Sequence, residues 1–335
     1  MNQEADFDEH GARGRYLELL SREFPDRYRA LTEIINLKAI LNLPKGTEHF
    51  ISDVHGEFVP FRHLLNNASG VIRDKVADLF ATLPRAQRAE LCTLIYYPRQ
   101  YLKRHAPDGQ WYRELIAYLT ALAVFLSSKY TRSKVRHAIP PQFRFVIDEL
   151  MHAKADEDNN RVRYHEQILQ SLIDTGSAAD FIEGMTVLIK RLAVDRLHVL
   201  GDLFDRGAHP DLVLDLLEDY HHLDIQWGNH DVLWMGAAFG SQLCAATAVR
   251  NNLRYGNLQL LENGYGINLR PLALFAERYY RDEPQASAMY KACSVIMLKL
   301  QGEVILRNPD FAMRGRLLLS EIDYARGVMR LPGAE

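Results

Sequence analysis

Cysteine, excess basic charge and late histidine are all scarce in this chain. Its 335 residues include three cysteines, Cys92, Cys244 and Cys293. An odd number at wide spacing argues against a disulfide framework or a zinc site of paired cysteines, and it points to reduced thiols in a cytoplasm. The formal net charge is -3, too near neutral for the large basic face that binding to nucleic acid or an anionic membrane would need. Polar, acidic Met1–Gly14 carries no pattern of a secretory signal. The most apolar window, Leu115–Leu126, is too short to span a bilayer and reads as a core helix. No internal repeat or low-complexity tract is visible. All 13 histidines lie at or before His230, and that gap limits what the C-terminal third can ligate.

What is there is an ordinary globular composition, with 47% hydrophobic and 25% charged residues. The length exceeds one typical domain of roughly 100–200 residues, so one large or two smaller units are expected. Apolar residues at helical spacing from Tyr16 to Leu41, broken at Pro25, predict two helices and a turn. Short apolar runs at Phe50–Ile51, Leu197–Leu200 and Asp224–Trp227 predict buried strands. About 150 residues with helical patterns separate the first two runs, where a direct crossover needs only ~30, so a mostly helical insertion is expected. Within it, Lys154–Asn160 reads as a surface linker, and Arg161–Ile173 and Ala178–Leu192 read as amphipathic helices. Pro210–Tyr220 predicts a helix between the second and third strands. Ile322–Tyr324 and Val328–Leu331 look like hairpin strands, followed by the turn Pro332–Glu335.

Three segments follow those runs: Asp53-Val54-His55-Gly56, Gly201-Asp202-Leu203-Phe204-Asp205-Arg206-Gly207 and Gly228-Asn229-His230-Asp231. Each falls on a loop at a strand's carboxyl end, where α/β folds place ligands. In this order they supply what a two-metal phosphoester hydrolase needs, a metal pair about 3.5 to 4 Å apart that generates the nucleophile and neutralises phosphoryl charge. Side-chain alternation along an extended backbone would point Asp53 and His55 to one side and onto one ion. Asp202 can bridge two ions, and Asn229 offers an oxygen to the second. This mixed oxygen and imidazole set suits Mn, Fe or Zn better than Ca. His230 is placed to protonate the leaving alkoxide, with Asp205 orienting its ring, and Arg206 presents a planar fork to phosphate oxygens.

Each piece alone has a plainer reading. An aspartate and glycine after a strand make turns, and Gly-Asn-His-Asp can simply cap a helix through Asn229 or Asp231. Three such loops in order at strand ends outweigh those readings. Elsewhere, His198 reads as a core or supporting residue, and His221 and His222 as surface histidines. Trp227, Trp234 and Met235 read as core packing. Arg250 and Arg254 read as either a second phosphate clamp or a solvated helix face.

The three segments resemble the calcineurin-like metallophosphoesterases, and more narrowly the phosphoprotein-phosphatase type with its Asp-Arg-Gly. Further stretches narrow the resemblance: Glu33–Leu37, Leu43–Ser52, Leu94–Pro98, Asp224–Asp231 with Trp234–Ala238, and Gly264–Leu269. From about Tyr16 onward the chain is similar to the class III fructose-1,6-bisphosphatases of bacteria, and apparently to their N-terminal half. The resemblance implies an α/β (α+β) fold, a metallophosphoesterase-type sheet core that is incomplete here, with a large mainly helical insertion. The implied division is a helical segment at 1–47, a core at 48–70 and 196–270, the insertion at 71–195, and an extension at 271–335 that ends mid-core. The implied reaction is hydrolysis of D-fructose 1,6-bisphosphate to D-fructose 6-phosphate and phosphate in gluconeogenesis, with Mn2+. Asp53, His55 and Asp202 would hold the first ion, and Asp202 with Asn229 part of the second. The family's two further histidines, in Phe-His-Gly and Gly-His-Val-Pro segments, have no counterpart here. The implied partners are therefore the sugar phosphate and the C-terminal half of the same enzyme, with no nucleic acid or membrane, and self-association into a homo-oligomer is compatible with the sequence. Losing the strands that bear those histidines would expose apolar surface. The alternatives are a phosphoprotein or dinucleoside polyphosphate phosphatase, or an inactive remnant that holds one metal.

Overall fold

The computed structural model describes residues 9–105, 108–153 and 159–329. Along the chain, α1 (Glu9–Glu23) and α2 (Arg27–Ile40) flank the predicted break, with Asp26 capping α2 through the Arg29 N–H. Strand β1 (Glu48–Ile51) is followed by α3 (Phe58–Asn67), α4 (Val71–Leu79), α5 (Arg85–Tyr96) and α6 (Pro98–Arg104). Next come α7 (Gly109–Ser127), α8 (Arg132–Ala138), α9 (Arg144–Met151), α10 (Asn159–Asp174) and α11 (Ala178–Ala193). Then β2 (Arg196–Val199), α12 (Pro210–Glu218) and β3 (Leu223–Ile225) form the compact strand, helix, strand unit expected from the sequence. The remainder comprises α13 (Asn229–Ala238), α14 (Gln242–Tyr255), α15 (Arg270–Tyr279), α16 (Gln285–Arg307) and a short antiparallel hairpin, β4 (Ile322–Asp323) with β5 (Val328–Met329). The fold is α+β, dominated by helices. The residues of the expected linker numbered 154–158, and the expected turn Pro332–Glu335 with Leu331, lie outside the described residues.

The chain separates into two units, 1–46 with 108–192 and 47–107 with 193–335. This differs from the expected division, because the stretch 71–195 is not one body. Helices α4 and α5 pack with α3 beside β1, whereas α7 to α11 belong to the other unit. In that other unit, α7 buries Leu115, Ile116, Leu119, Leu122, Ala123 and Leu126, a stripe at helical spacing that makes it the core helix the sequence predicted. Helix α11 contributes Phe181, Ile182, Met185 and Ile189, and the Phe143 and Phe181 rings meet edge to face at 5.5 Å.

The second unit holds a three-stranded parallel sheet in the order β1-β2-β3. Leu197 and Val199 point to one face and join Phe61 of α3, Val213 and Leu217 of α12, and Val54 and Leu203 of the following loops. The opposite face carries ion pairs. His198 Nδ1 and Arg196 Nη1 reach Asp224 at 3.1 and 3.0 Å, and the His198 ring stacks on exposed Phe50. His198 is thus a bridge between strands. A separate cluster, Leu253, Leu261, Leu269, Ala276 and Met289 among its members, binds α14, α15 and α16 together. Among the described residues no helix is long and apolar enough to cross a membrane.

Candidate active site and metal centre

The loops after β1 and β2 continue the parallel ladder past the strands. The Asp53 N–H donates to the Gly201 carbonyl at 3.3 Å, that of His55 to Asp202 at 2.8 Å, and that of Gly56 to Leu203 at 2.8 Å. The chain nevertheless leaves extended geometry at these residues. Asp53, His55, Asp202, Asp205 and Arg206 all have positive φ, between 44° and 67°. Non-glycine residues held there store strain of about 1–3 kcal/mol each and persist only where the surroundings over-determine them. Asp53 and His55 therefore converge through a left-handed turn, not through the strand alternation expected from the sequence, because β1 ends at Ile51. Such close backbone approach demands glycine. A Cβ on Gly207 would overlap the His55 carbonyl oxygen, and one on Gly201, at φ +91°, would overlap the Gly228 nitrogen.

The third loop is fastened by a side chain. Asp231, the third residue of α13 and 5% exposed, accepts the N–H groups of Gly228 (2.8 Å), Asp202 (2.7 Å), Leu203 (2.8 Å) and Phe204 (3.3 Å). The His230 N–H in turn donates to Asp202 Oδ1 at 3.3 Å. An acid at this helix position satisfies orphan donors, and here it also clamps the second loop to the third. The sequence pointed to a cap and missed the clamp.

These constraints bring Asp53, His55 and Asp202 together, with one ligand atom of each within 4.8 Å of the others. The His55 Nδ1–H donates to the Phe204 carbonyl at 2.9 Å, which leaves the Nε2 lone pair free. That Nε2 is buried with no hydrogen-bond partner and lies 3.6 Å from Asp53 Oδ1. A buried, unpaired imidazole nitrogen aimed at two carboxylates fits a divalent cation, since a metal bond would satisfy it and offset carboxylate repulsion. Asn229 is the exposed first residue of α13, beside His230.

Next to this cluster His230 Nδ1 pairs with Asp205 Oδ2 at 2.7 Å, and the His230 ring stands edge-on to His55 with centroids 5.2 Å apart. Asp205 is 1% exposed. It also accepts the Trp234 indole N–H on Oδ1 at 3.1 Å and the Asn251 side-chain N–H on Oδ2 at 2.8 Å. Arg206 is exposed, and its carbonyl accepts from Asn257 Nδ2. Neither asparagine carries a sequence signal, as each lies outside any motif and 46 or 51 positions from the residue it serves. Trp234 stacks on Phe204 and walls an apolar cavity of about 480 Å³, which is also lined by Leu214, Met235, Val249, Tyr265 and Ile267. Burial, with the Asp211 and Asp215 carboxylates nearby, pushes the Tyr265 hydroxyl up to about 12.

Two expectations change. Trp227 is 67% exposed instead of packed in the core, because what packs at this point is its backbone against Gly201. Arg250 is committed to α16, donating to Ser294 Oγ (3.2 Å) and Tyr290 Oη (2.9 Å), and Arg254 lies over Tyr255, so the two do not form one clamp. Exposed apolar groups at the strand ends comprise Phe50, Leu200 and Ile225 beside Trp227, while the outer sheet face is mainly charged.

Comparison with known proteins agrees with the motifs. A family model described as Firmicute fructose-1,6-bisphosphatase matches residues 15–335. The chain is 49% identical over 344 residues to a class 3 fructose-1,6-bisphosphatase of Clostridium beijerinckii, covering 95% of this chain and 52% of that protein. The class 3 enzymes of Listeria monocytogenes and Parabacteroides distasonis are each 47% identical, with 96% of this chain and 53% and 52% of theirs covered. No solved structure matches. The chain spans about half the length of the curated relatives it matches. With its three loops gathered as described and the family model matching residues 15–335, the chain belongs to the Firmicute fructose-1,6-bisphosphatase family.

Proposed function

We propose that this chain carries the metal-binding and acid-base part of an enzyme that hydrolyses D-fructose 1,6-bisphosphate to D-fructose 6-phosphate and phosphate, a gluconeogenic reaction. The observation that carries the reading is the gathering of Asp53, His55 and Asp202, with the orphaned His55 Nε2 between them, beside the buried Asp205–His230 pair. Relatives named as class 3 fructose-1,6-bisphosphatases supply the substrate. The architecture we propose is a metallophosphoesterase-type sheet core, in line with parallel strands that end in these loops.

Asp53, His55 and Asp202 would hold one manganese ion, and Asp202 with Asn229 part of a second. Such ions supply Lewis acidity and lower the pKa of water. Asp205 accepts the Nδ1–H of His230, which leaves Nε2 to give a proton to the sugar oxygen as the phosphoryl bond breaks. Arg206, exposed at the loop tip, holds phosphate oxygens in its planar fork. Among the described residues this reading gives the second ion two ligands, Asp202 and Asn229, and the relatives are about twice as long. We therefore infer that full activity needs further ligands from the half of the enzyme that this chain does not span. A cytoplasmic location fits the three free cysteines, of which Cys92 and Cys293 are buried with thiols pushed up by desolvation.

Phosphate release from fructose 1,6-bisphosphate with manganese tests this, with and without a second polypeptide carrying the remaining half of a relative. Turnover should require the second polypeptide. Full activity of this chain alone overturns the dependence, and no activity in either mixture overturns the substrate.

A further inference from the structure

Helix α14 and the turn that ends it bring two asparagines onto one loop. Asn251 reaches Asp205 Oδ2 at 2.8 Å, and Asn257, one residue beyond the left-handed Gly256 that ends the helix, reaches the carbonyls of Arg206 at 2.8 Å and Gly207 at 3.0 Å. The residues between these anchors, Asp205 and Arg206, both have positive φ, at 64° and 67°. Such a conformation needs outside support to persist. Asn252, adjacent to Asn251 and equally on α14, gives its amide to the helix's own Ala248 carbonyl instead, so the bond to the loop is particular to its neighbour.

We propose that Asn251 and Asn257 are positioning residues with separate tasks: Asn251 fixes the Asp205–His230 pair for proton transfer, and Asn257 fixes Arg206 for phosphate. The inference rests on the phosphatase reading above. Asp205 is almost fully buried, so no water can replace the Asn251 donor on Oδ2. His230 shares that same oxygen at 2.7 Å. Without Asn251 one lone pair of Oδ2 is unsatisfied, and the carboxylate keeps only the Trp234 and His230 donors, so its rotation about the Cβ–Cγ bond, and with it the tilt of the imidazole, is less tightly fixed. Among the described residues the Asn257 side chain gives its hydrogen bonds to the Arg206 and Gly207 carbonyls and not to Asp205 or His230. Its amide bridges two successive carbonyls and so sets the backbone from which the Arg206 side chain departs.

The two tasks separate by leaving group. The sugar oxygen leaves as a strongly basic alkoxide and needs the proton from His230, while p-nitrophenolate leaves without one. Asn251→Leu, which keeps the branched heavy-atom skeleton and removes the donor, should lower kcat for fructose 1,6-bisphosphate by about 100-fold, the low end of general-acid effects. With p-nitrophenyl phosphate its kcat should change by no more than about threefold, the effect of ordinary repacking alone. Asn257→Ala should instead raise KM about tenfold for both substrates, as expected when one charge-assisted hydrogen bond to phosphate is no longer made. Asn252→Ala serves as a structural control, with both substrates affected alike. Equal losses for both substrates in Asn251→Leu would overturn its role, and an unchanged KM in Asn257→Ala would overturn the other.

A second readout needs no turnover. In protein carrying 15N-labelled histidine, the downfield proton of His230 Nδ1–H, assigned by its loss in His230→Ala, should shift or broaden in Asn251→Leu and stay in place in Asn257→Ala and Asn252→Ala. An unmoved resonance in Asn251→Leu overturns the inference. Hydrolysis missing from the unmodified enzyme, with its second half present, would instead sink the phosphatase reading and leave this measurement decisive.

Discussion

His230 Nδ1 stands 2.7 Å from Oδ2 of Asp205, a carboxylate with almost no solvent exposure. An ionised carboxylate only accepts, so the hydrogen between them belongs to the imidazole and the opposite nitrogen faces outward. Asp205→Asn keeps the shape but offers a donor to the wrong nitrogen. We expect kcat for the sugar phosphate to fall about 10²–10⁴-fold, with a circular dichroism melt close to that of the parent. His230→Ala should do the same. His222→Ala should change little, because His222 is an exposed residue that pairs with Asp195 at the far end of β2. Steady-state kinetics on the three variants checks the set.

Metal affinity should follow His55. Removing its imidazole deletes the single neutral ligand from the cluster and leaves two carboxylates facing one another. Loss of a supporting residue costs about 10–100-fold in affinity, so loss of a ligand should cost at least about 100-fold. Titration calorimetry with manganese on His55→Ala measures it. The same titration on the unmodified chain should show one tight ion, and two would contradict the division of ligands proposed above.

Asp231 bears on folding more than on chemistry. Asp231→Ala strands the N–H groups of Gly228, Asp202, Leu203 and Phe204, three of which it accepts at 2.8 Å or closer. Buried bonds to a charged acceptor contribute about 1.5–3 kcal/mol each, and some of these donors will find water. A loss of about 2–4 kcal/mol in urea unfolding is expected, accompanied by weaker manganese binding because Asp202 is released.

Glycine is required where the loops touch. Gly207→Ala drives a methyl group into the His55 carbonyl, and backbone cannot step aside as a flexible side chain would. The expected cost is about 1–3 kcal/mol, visible as a lowered melting temperature together with lost metal binding.

Lys190 sets a pH dependence in the unit that contains α7 and α11. Burial lowers its pKa from 10.5 to about 8, so above pH 8 the unfolded chain binds more protons than the folded one. Stability therefore rises with pH from about 8 towards 10.5, and the penalty is fully present at pH 7. Lys190→Met should unfold at higher urea concentration at pH 7 and lose most of that rise.

Much of the candidate site is legible because the residues that gather there, Asp53, His55 and Asp202 among them, lie in contiguous segments at strand ends. The strand, helix, strand unit around Pro210 and the two helices around Pro25 were legible for a similar reason, since period and punctuation are local. Asn251 and Asn257 were not. An asparagine in a helix, like Asn251, or just past its end, like Asn257, has no periodic or spacing signature, and its partner is chosen by how α14 packs. The division within 71–195 escaped for the same reason, since α4 and α7 both look like amphipathic helices and only packing sorts them. The convergence of Asp53 and His55 was expected on a mistaken ground, because nothing in Asp-Val-His-Gly announces a left-handed turn at residues other than glycine.

The ladder from Asp53, His55 and Gly56 to Gly201, Asp202 and Leu203 limits how this sequence can diverge. A single residue inserted between Ile51 and Gly56 would slide every bond by one place and exchange the residues that face the cluster for their neighbours. Length is less constrained in the long stretch between α6 and β2, which takes no part in this ladder, while the few residues beyond each strand must keep their count as well as the glycines and the cluster residues. Insertions and deletions in these loops, like substitutions within the cluster, should therefore mark which descendants of this chain no longer gather Asp53, His55 and Asp202.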